Sequence, residues 1–202
     1  MNTKLKSDIL SAAKPLFFKN GIKSITMDTV ASELGMSKKT VYQIYSDKNS
    51  LITDLILHEM TAQYTVLNNL VNNAENPIHE MKLISENMTR VFMQIQPVFF
   101  YDLKKYHSNI YKIFQDHKNR WAFELIHQNI QKGIVQGVYR SNLDVSKSIE
   151  LRLKQLDELL FNAEYGLSQA DFINSHELSF RFFIYGLSTL EGHKLIDYYY
   201  EH

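Results

Sequence analysis

Apolar residues recur at helical spacing along almost the whole chain. The pattern runs from Leu5, Ile9, Ala12, Ala13, Leu16 and Phe17 near the start to Phe180, Phe183, Ile184 and Leu187 near the end. Little interrupts it: seven glycines and three prolines among 202 residues are too few turn-makers for a strand-rich protein. An all-α chain follows, long enough to close one or two hydrophobic cores. With 45% hydrophobic residues, wholesale disorder is excluded.

Cysteine is absent, which excludes disulfides, thiolate metal sites and cysteine nucleophiles. The N-terminus lacks the uninterrupted apolar stretch of a secretory signal, and no window of 18 residues is free of charged or strongly polar groups. These features predict a soluble, cytoplasmic protein without a membrane partner. The 22 basic and 22 acidic side chains cancel, but not locally. Through Leu51 there are eight lysines against four acids, net +4, which leaves −4 for the remainder. A basic head on an acidic body is the division expected when one end meets a polyanion.

The periodicity predicts a first helix over about 4–20, kinked or split by Pro15 and stopped by Gly21. A short helix capped by Thr26 and a second capped by Ser37 flank Gly35, which permits a sharp turn. Ser46 or Asp47 then opens a longer helix beginning with Leu51, Leu55 and Ile56. Further helices are expected over about 60–71, 78–95, 98–115, 116–136, 145–161 and 170–199. The breaks fall near Asn72–Pro77, Pro97, Gly137–Asn142 and Asn162–Ser168.

Two short helices joined at a tight glycine turn, with positive charge on the second, read as a helix-turn-helix. Val30, Leu34, Met36 and Val41 supply its shared core, and Ala31 allows the helices to approach. The second helix presents Lys38, Lys39, Thr40, Tyr42 and Gln43. Lysine neutralises phosphate, threonine and tyrosine donate to phosphate or touch base edges, and glutamine can pair with adenine N6 and N7. Tyr42 suits core and contact equally, whereas Tyr45 fits the core better.

The stretch SITMDTVASELGMSKKTVYQIYSDKNSL, residues 24–51, resembles the N-terminal domain of TetR-family transcriptional regulators. Thr26, the Val30–Ala31 pair, Gly35, Ser37, Thr40-Val41-Tyr42, Tyr45 and the Lys48…Leu51 ending carry the likeness. Residues 133–144, GIVQGVYRSNLD, look like a connection between two body helices of that family. The resemblance implies an all-helical homodimer with a DNA-binding head, residues 1–50, and a ligand-binding and dimerisation body, residues 51–202. It assigns Lys38, Lys39, Thr40 and Gln43 to the DNA groove and Tyr42 and Lys48 to phosphates. Ile44 departs from the family, where a Tyr or His able to reach phosphate is common. The function implied is a repressor released from a near-palindromic operator by a partly apolar small-molecule effector.

Of 25 aromatic residues, only Phe17, Phe18, Tyr42 and Tyr45 lie in the first 51. The body's Phe92, Phe99, Phe100, Tyr101, Tyr111, Phe114 and Trp121 are candidates for a ligand cavity; ordinary core is the alternative for each. His107, His117 and His127 lie ten residues apart and share no helical face, so no metal site or cofactor is expected. No nucleophile elbow, phosphate loop or dinucleotide fingerprint points to an enzyme. Two stripes, Leu153, Leu156 and Leu160, then Phe180, Phe183, Ile184 and Leu187, are the expected dimer interface; packing within one subunit is the alternative. Two other functions stay open: a sensor whose head contacts protein, and a helical enzyme with an accessory DNA-binding head.

Overall fold

The computed structural model describes residues 2–161 and 168–201. Among these, ten helices follow in order: α1 (Asn2–Asn20), α2 (Met27–Glu33), α3 (Lys38–Ile44), α4 (Lys48–Asn72), α5 (Pro77–Phe92), α6 (Pro97–Tyr106), α7 (Ser108–Val135), α8 (Val145–Phe161), α9 (Gln169–Leu187) and α10 (Leu190–Glu201). The fold is thus all-α, a small helix-turn-helix head on a larger helical body.

Local chemistry explains most helix starts. Thr26 caps α2 in a reciprocal box with Thr29: Thr29 N–H donates to Thr26 Oγ1 (3.1 Å) and Thr26 N–H to Thr29 Oγ1 (3.4 Å). Ser37 caps α3, Asp47 caps α4 through Ser50, and Asn76 caps α5 ahead of Pro77. Pro15 does not split α1, which is one helix from Asn2 to Asn20. Pro15 and Ser11 are both exposed, so water can serve the carbonyl that the missing donor leaves open.

Three boundaries differ from those expected. The helix opening at Asp47 and the one expected over 60–71 are a single 25-residue helix, α4. The break expected near residue 115 lies at His107, which caps both α6 and α7 with φ −132° and ψ 52°. His107 carries no turn signal; its Nδ1 donates to Asn49 Oδ1 across 58 residues (2.8 Å). The helix expected over 170–199 breaks at Ser188, which is extended (ψ 151°) and bridges Tyr139. There the α7–α8 connection supplies the partners: Arg140 N–H donates to Leu187 O (2.9 Å) and Thr189 N–H to Val138 O (3.0 Å). The break expected over Asn162–Ser168 lies, up to residue 167, outside the described residues.

Two buried clusters organise the molecule. One joins Ile9, Phe17, Val30 and Val41 of the head to Leu55, Phe92, Phe99 and Leu103 of the body. The other fills the far end around Leu67, Ile78, Tyr139, Ile149 and Ile184. The expected boundary between residues 50 and 51 therefore falls in the first turn of α4, with one core on both sides of it. Head and α6 are further tied by Gln96 N–H donating to Phe18 O (2.8 Å) and Lys23 N–H to Asp102 Oδ2 (2.7 Å).

Candidate functional site

The head turn is built on Gly35, at φ +61°, where an added Cβ would meet nothing. Its need for glycine is conformational. Val30, Ala31 and Val41 are buried beneath the turn. Above them α3 exposes Lys38, Lys39, Tyr42 and Gln43, with Tyr42 48% exposed. Tyr45 is buried, and its hydroxyl donates to Asp54 Oδ2 on α4 (2.5 Å). Burial and this acid push the phenol well above its usual range.

Several polar groups of the head are already engaged, within the head or with α4. Lys38 Nζ donates to Asp28 Oδ2, and that hydrogen bond and charge raise the ammonium pKa. Thr40 Oγ1 lies 2.8 Å from the capping Ser37 Oγ. Lys6 pairs with Asp54 (3.0 Å) and Lys14 with Glu59 (2.8 Å). Three of the eight head lysines thus meet acids, two of these on α4.

Lys48 differs from the α3 set. It is half-buried at the start of α4, with Nζ 5.9 Å from the Phe17 ring. Burial lowers its pKa, partly countered by Asp102. His107 is lowered by burial and by Lys48, again opposed by Asp102. Lys48 therefore belongs to the joint between head and body as well as to the head's surface.

A cavity of about 190 Å3 opens within the body between α4, α5, α6, α7, α8 and α9. Of the seven aromatic candidates, Phe92, Phe99, Phe100, Phe114 and Trp121 line it. Tyr101 and Tyr111 do not, which corrects their expected place. Tyr101 packs edge-on against Tyr106, and Tyr111 against Phe161 with its hydroxyl accepting from Gln115 Nε2 (2.8 Å). Phe18 of α1 reaches the same cavity, as do Met60, Met81 and Met88.

The expected dimer stripes are corrected too. Leu160, Phe180, Ile184 and Leu187 are buried within the subunit, Leu153 and Leu156 line the cavity, and Phe183 lies half-buried beneath the Arg152 guanidinium (5.9 Å). A helical stripe has the same period whether it faces its own core or a partner. The large apolar side chains that α8 and α9 expose among the described residues are Leu151, Leu178 and Phe182, the last 68% exposed.

Two polar cavity residues gave no sequence signal. Arg152 on α8 is 4% exposed, donates to Ser179 Oγ (3.0 Å) and lies over the Phe180 ring (5.3 Å). His176 on α9 is 2% exposed, and neither ring nitrogen has a partner among the described residues. Burial first, and the neighbouring Arg152 second, lower its pKa to about 3, so the imidazole is neutral. The other charged lining residues are paired, Glu59 with Lys14 and Lys118 with Asp157. Among the described residues no three His, Asp or Glu side chains gather as metal ligands, and no helix is long and apolar enough to cross a membrane.

A capped helix pair with a cationic exposed face, joined by one long helix to a hollow helical body, defines a helix-turn-helix DNA-binding regulator. Residues 9–55 match the family model described as bacterial regulatory proteins, tetR family. The uncharacterised helix-turn-helix-type transcriptional regulator YdeS of Bacillus subtilis is 26% identical over 146 residues, 71% of either chain. YhgD of the same organism, likewise an uncharacterised regulator, is 27% identical over 148 residues, 73% of this chain and 68% of its own. The head thus matches the TetR family, and the likeness along the rest of the chain supports a TetR-family transcriptional regulator.

Solved structures agree in fold. A TetR-family regulator from Agrobacterium tumefaciens superposes with a TM-score of 0.72 at 12% identity, over 94% of this chain and 100% of that one. A transcriptional regulator from Saccharomonospora viridis, in complex with choline, gives 0.71 at 16% identity over 93% and 99%.

Proposed function

We propose that this regulator is a repressor released from DNA by a small molecule. Residues 1–50 act as the DNA-binding unit and residues 51–202 as the regulatory one. Two subunits pair through the exposed Leu151, Leu178 and Phe182 face of α8 and α9 and seat their α3 helices in successive major grooves. The near-palindromic operator then has half-sites about 34–36 Å apart. Lys38, Lys39, Thr40 and Gln43 face the DNA groove, Tyr42 meets a phosphate, and Lys48 holds another at the start of α4. The protein acts in the cytoplasm, where its DNA lies. Regulation rather than catalysis is the reading, because the relatives are regulators.

One observation carries this reading: α4 begins at the head with Lys48 and forms a cavity wall with Ile56, Met60, Tyr64 and Leu67. Phe18 of the head closes the same cavity. An occupant therefore touches the helix that sets head position, and it weakens DNA binding if it prefers the arrangement in which the heads are out of register. The test is selection of bound sites from random duplex DNA, repeated with Gln43→Ala. The selected sites should be two-fold symmetric, and the variant should lose preference at one base pair per half-site, about 1–3 kcal/mol. Selection of no sequence, or uniform weakening by the variant, overturns the assigned roles.

A further inference from the structure

Resting on the effector reading, the charges of the cavity say what kind of molecule it takes. Of its three charged lining groups other than histidine, Glu59 is satisfied by Lys14 and Lys118 by Asp157. Arg152 has no carboxylate within ion-pair distance among the described residues. Its guanidinium carries five donors, yet its polar contact is with the neutral Ser179 hydroxyl, and two phenylalanine rings cover it. A buried cation left without a counter-charge is costly.

His176 stands one helix away from Arg152, and both border Phe180. Arg152 lies over that ring at 5.3 Å, and the imidazole lies 6.3 Å from it centroid to centroid. Ser179 links the two, accepting from Arg152 and donating to the His176 carbonyl (2.9 Å). The imidazole also meets the Phe92 ring edge-on at 4.9 Å. Both its nitrogens are buried and unpartnered, although buried polar groups are otherwise almost always hydrogen-bonded.

We infer that the effector is an amphipathic carboxylate whose headgroup sits between Arg152 and His176 while its apolar part fills the aromatic and methionine-lined space. A carboxylate supplies one negative charge for Arg152, the cavity cation without a carboxylate partner among the described residues, and two oxygens for guanidinium and imidazole N–H donors. A dianion leaves a second charge buried without a partner, and a cation is repelled by Arg152. The size follows from the cavity: about 190 Å3 exceeds the roughly 150 Å3 that holds benzene, so a short chain or a single substituted ring fits.

The experiment titrates the full-length protein with straight-chain carboxylates of six to twelve carbons, the matching alcohols and the matching primary amines. The readout is fluorescence of Trp121, the one tryptophan of the chain, which lines the cavity. The fitting carboxylate should bind at least tenfold more tightly than its alcohol, and the amine more weakly than either. Arg152→Met should abolish the preference while alcohol binding persists, which shows the cavity intact. Should that variant not fold, the wild-type ratio decides. Equal binding of carboxylate and alcohol overturns this inference and leaves the effector reading standing. Saturation by alcohols alone does the same. Binding of none of the three series overturns both.

Discussion

Lys38 on the exposed face of α3 and Arg152 in the body cavity are both cations with proposed binding roles, but their surroundings are opposite. Lys38 is exposed and already holds Asp28; Arg152 is buried and holds no acid among the described residues. In water an ion pair is weak and exchangeable, so a phosphate can replace Asp28 with little loss. In the body a lone charge is costly and invites a counter-ion. Lys38 thus holds an exchangeable acid, whereas in the cavity Arg152 holds a neutral hydroxyl and neither His176 nitrogen has a partner among the described residues. The same contrast marks the glycines. Gly35 serves backbone conformation in open space, while Gly133 serves close packing, since a Cβ there would come 2.0 Å from Tyr139 Cδ2.

The largest test separates the two regions altogether. Phe182→Glu, on the exposed face of α9, should leave each subunit folded but monomeric and so cost the gain of bivalent binding, about 100- to 10,000-fold in operator affinity. A dimeric mass by sedimentation would sink the proposed pairing face. Next, Gly133→Ala should cost the body at least about 1–3 kcal/mol in urea unfolding, because its methyl displaces the buried Tyr139 ring. Gly133→Asn should be worse. At Gly35 the order reverses, because asparagine tolerates positive φ better than alanine does. If Asn and Ala rank alike at the two sites, the distinction between conformational and packing glycines fails.

Buried and exposed groups also differ in their response to acid. The folded-state pKa of His176, about 3, lies below the ordinary 6.5, so the unfolded chain takes up the proton first. Its contribution is complete above pH 6.5 and is lost as pH falls from there toward 3, by at most about 1.4 kcal/mol per pH unit. His176→Phe should flatten stability against pH between 6 and 4.5; an unchanged slope would mean the imidazole is solvated. The smallest effect belongs to the head. Asp28→Asn releases Lys38 and should tighten DNA binding a few-fold at moderate salt, as measured by anisotropy. Weaker binding with an unaltered melting temperature would show that the pair positions Lys38 for DNA.

The head was legible because its signals are local. Thr26 and Ser37 announce helix starts to the residues three positions on, Gly35 announces the turn, and Val30, Ala31 and Val41 announce one buried face. The cavity was legible only in its aromatic half. Phe92, Phe99, Phe100, Phe114 and Trp121 stood out by composition, but nothing local distinguishes them from Tyr101 and Tyr111, which pack elsewhere. Arg152 reads as one more charge on a helix whose other cations are solvated, and His176 as an isolated histidine 24 residues further on. The α6–α7 break was illegible for a similar reason: His107 is held by Asn49, on another helix.

By itself, then, the sequence determined an all-helical chain, a capped helix-turn-helix with a basic second helix, and the family that these resemble. Those features rest on hydrogen bonds and side-chain spacings within a few residues, which a linear reading contains. Tertiary structure alone decided where the long helices break and which apolar stripe turns inward. It also decided that Lys38 meets Asp28, and that an arginine and a histidine from successive helices share one apolar cavity. Those outcomes depend on burial, and burial is set by which distant segments pack together.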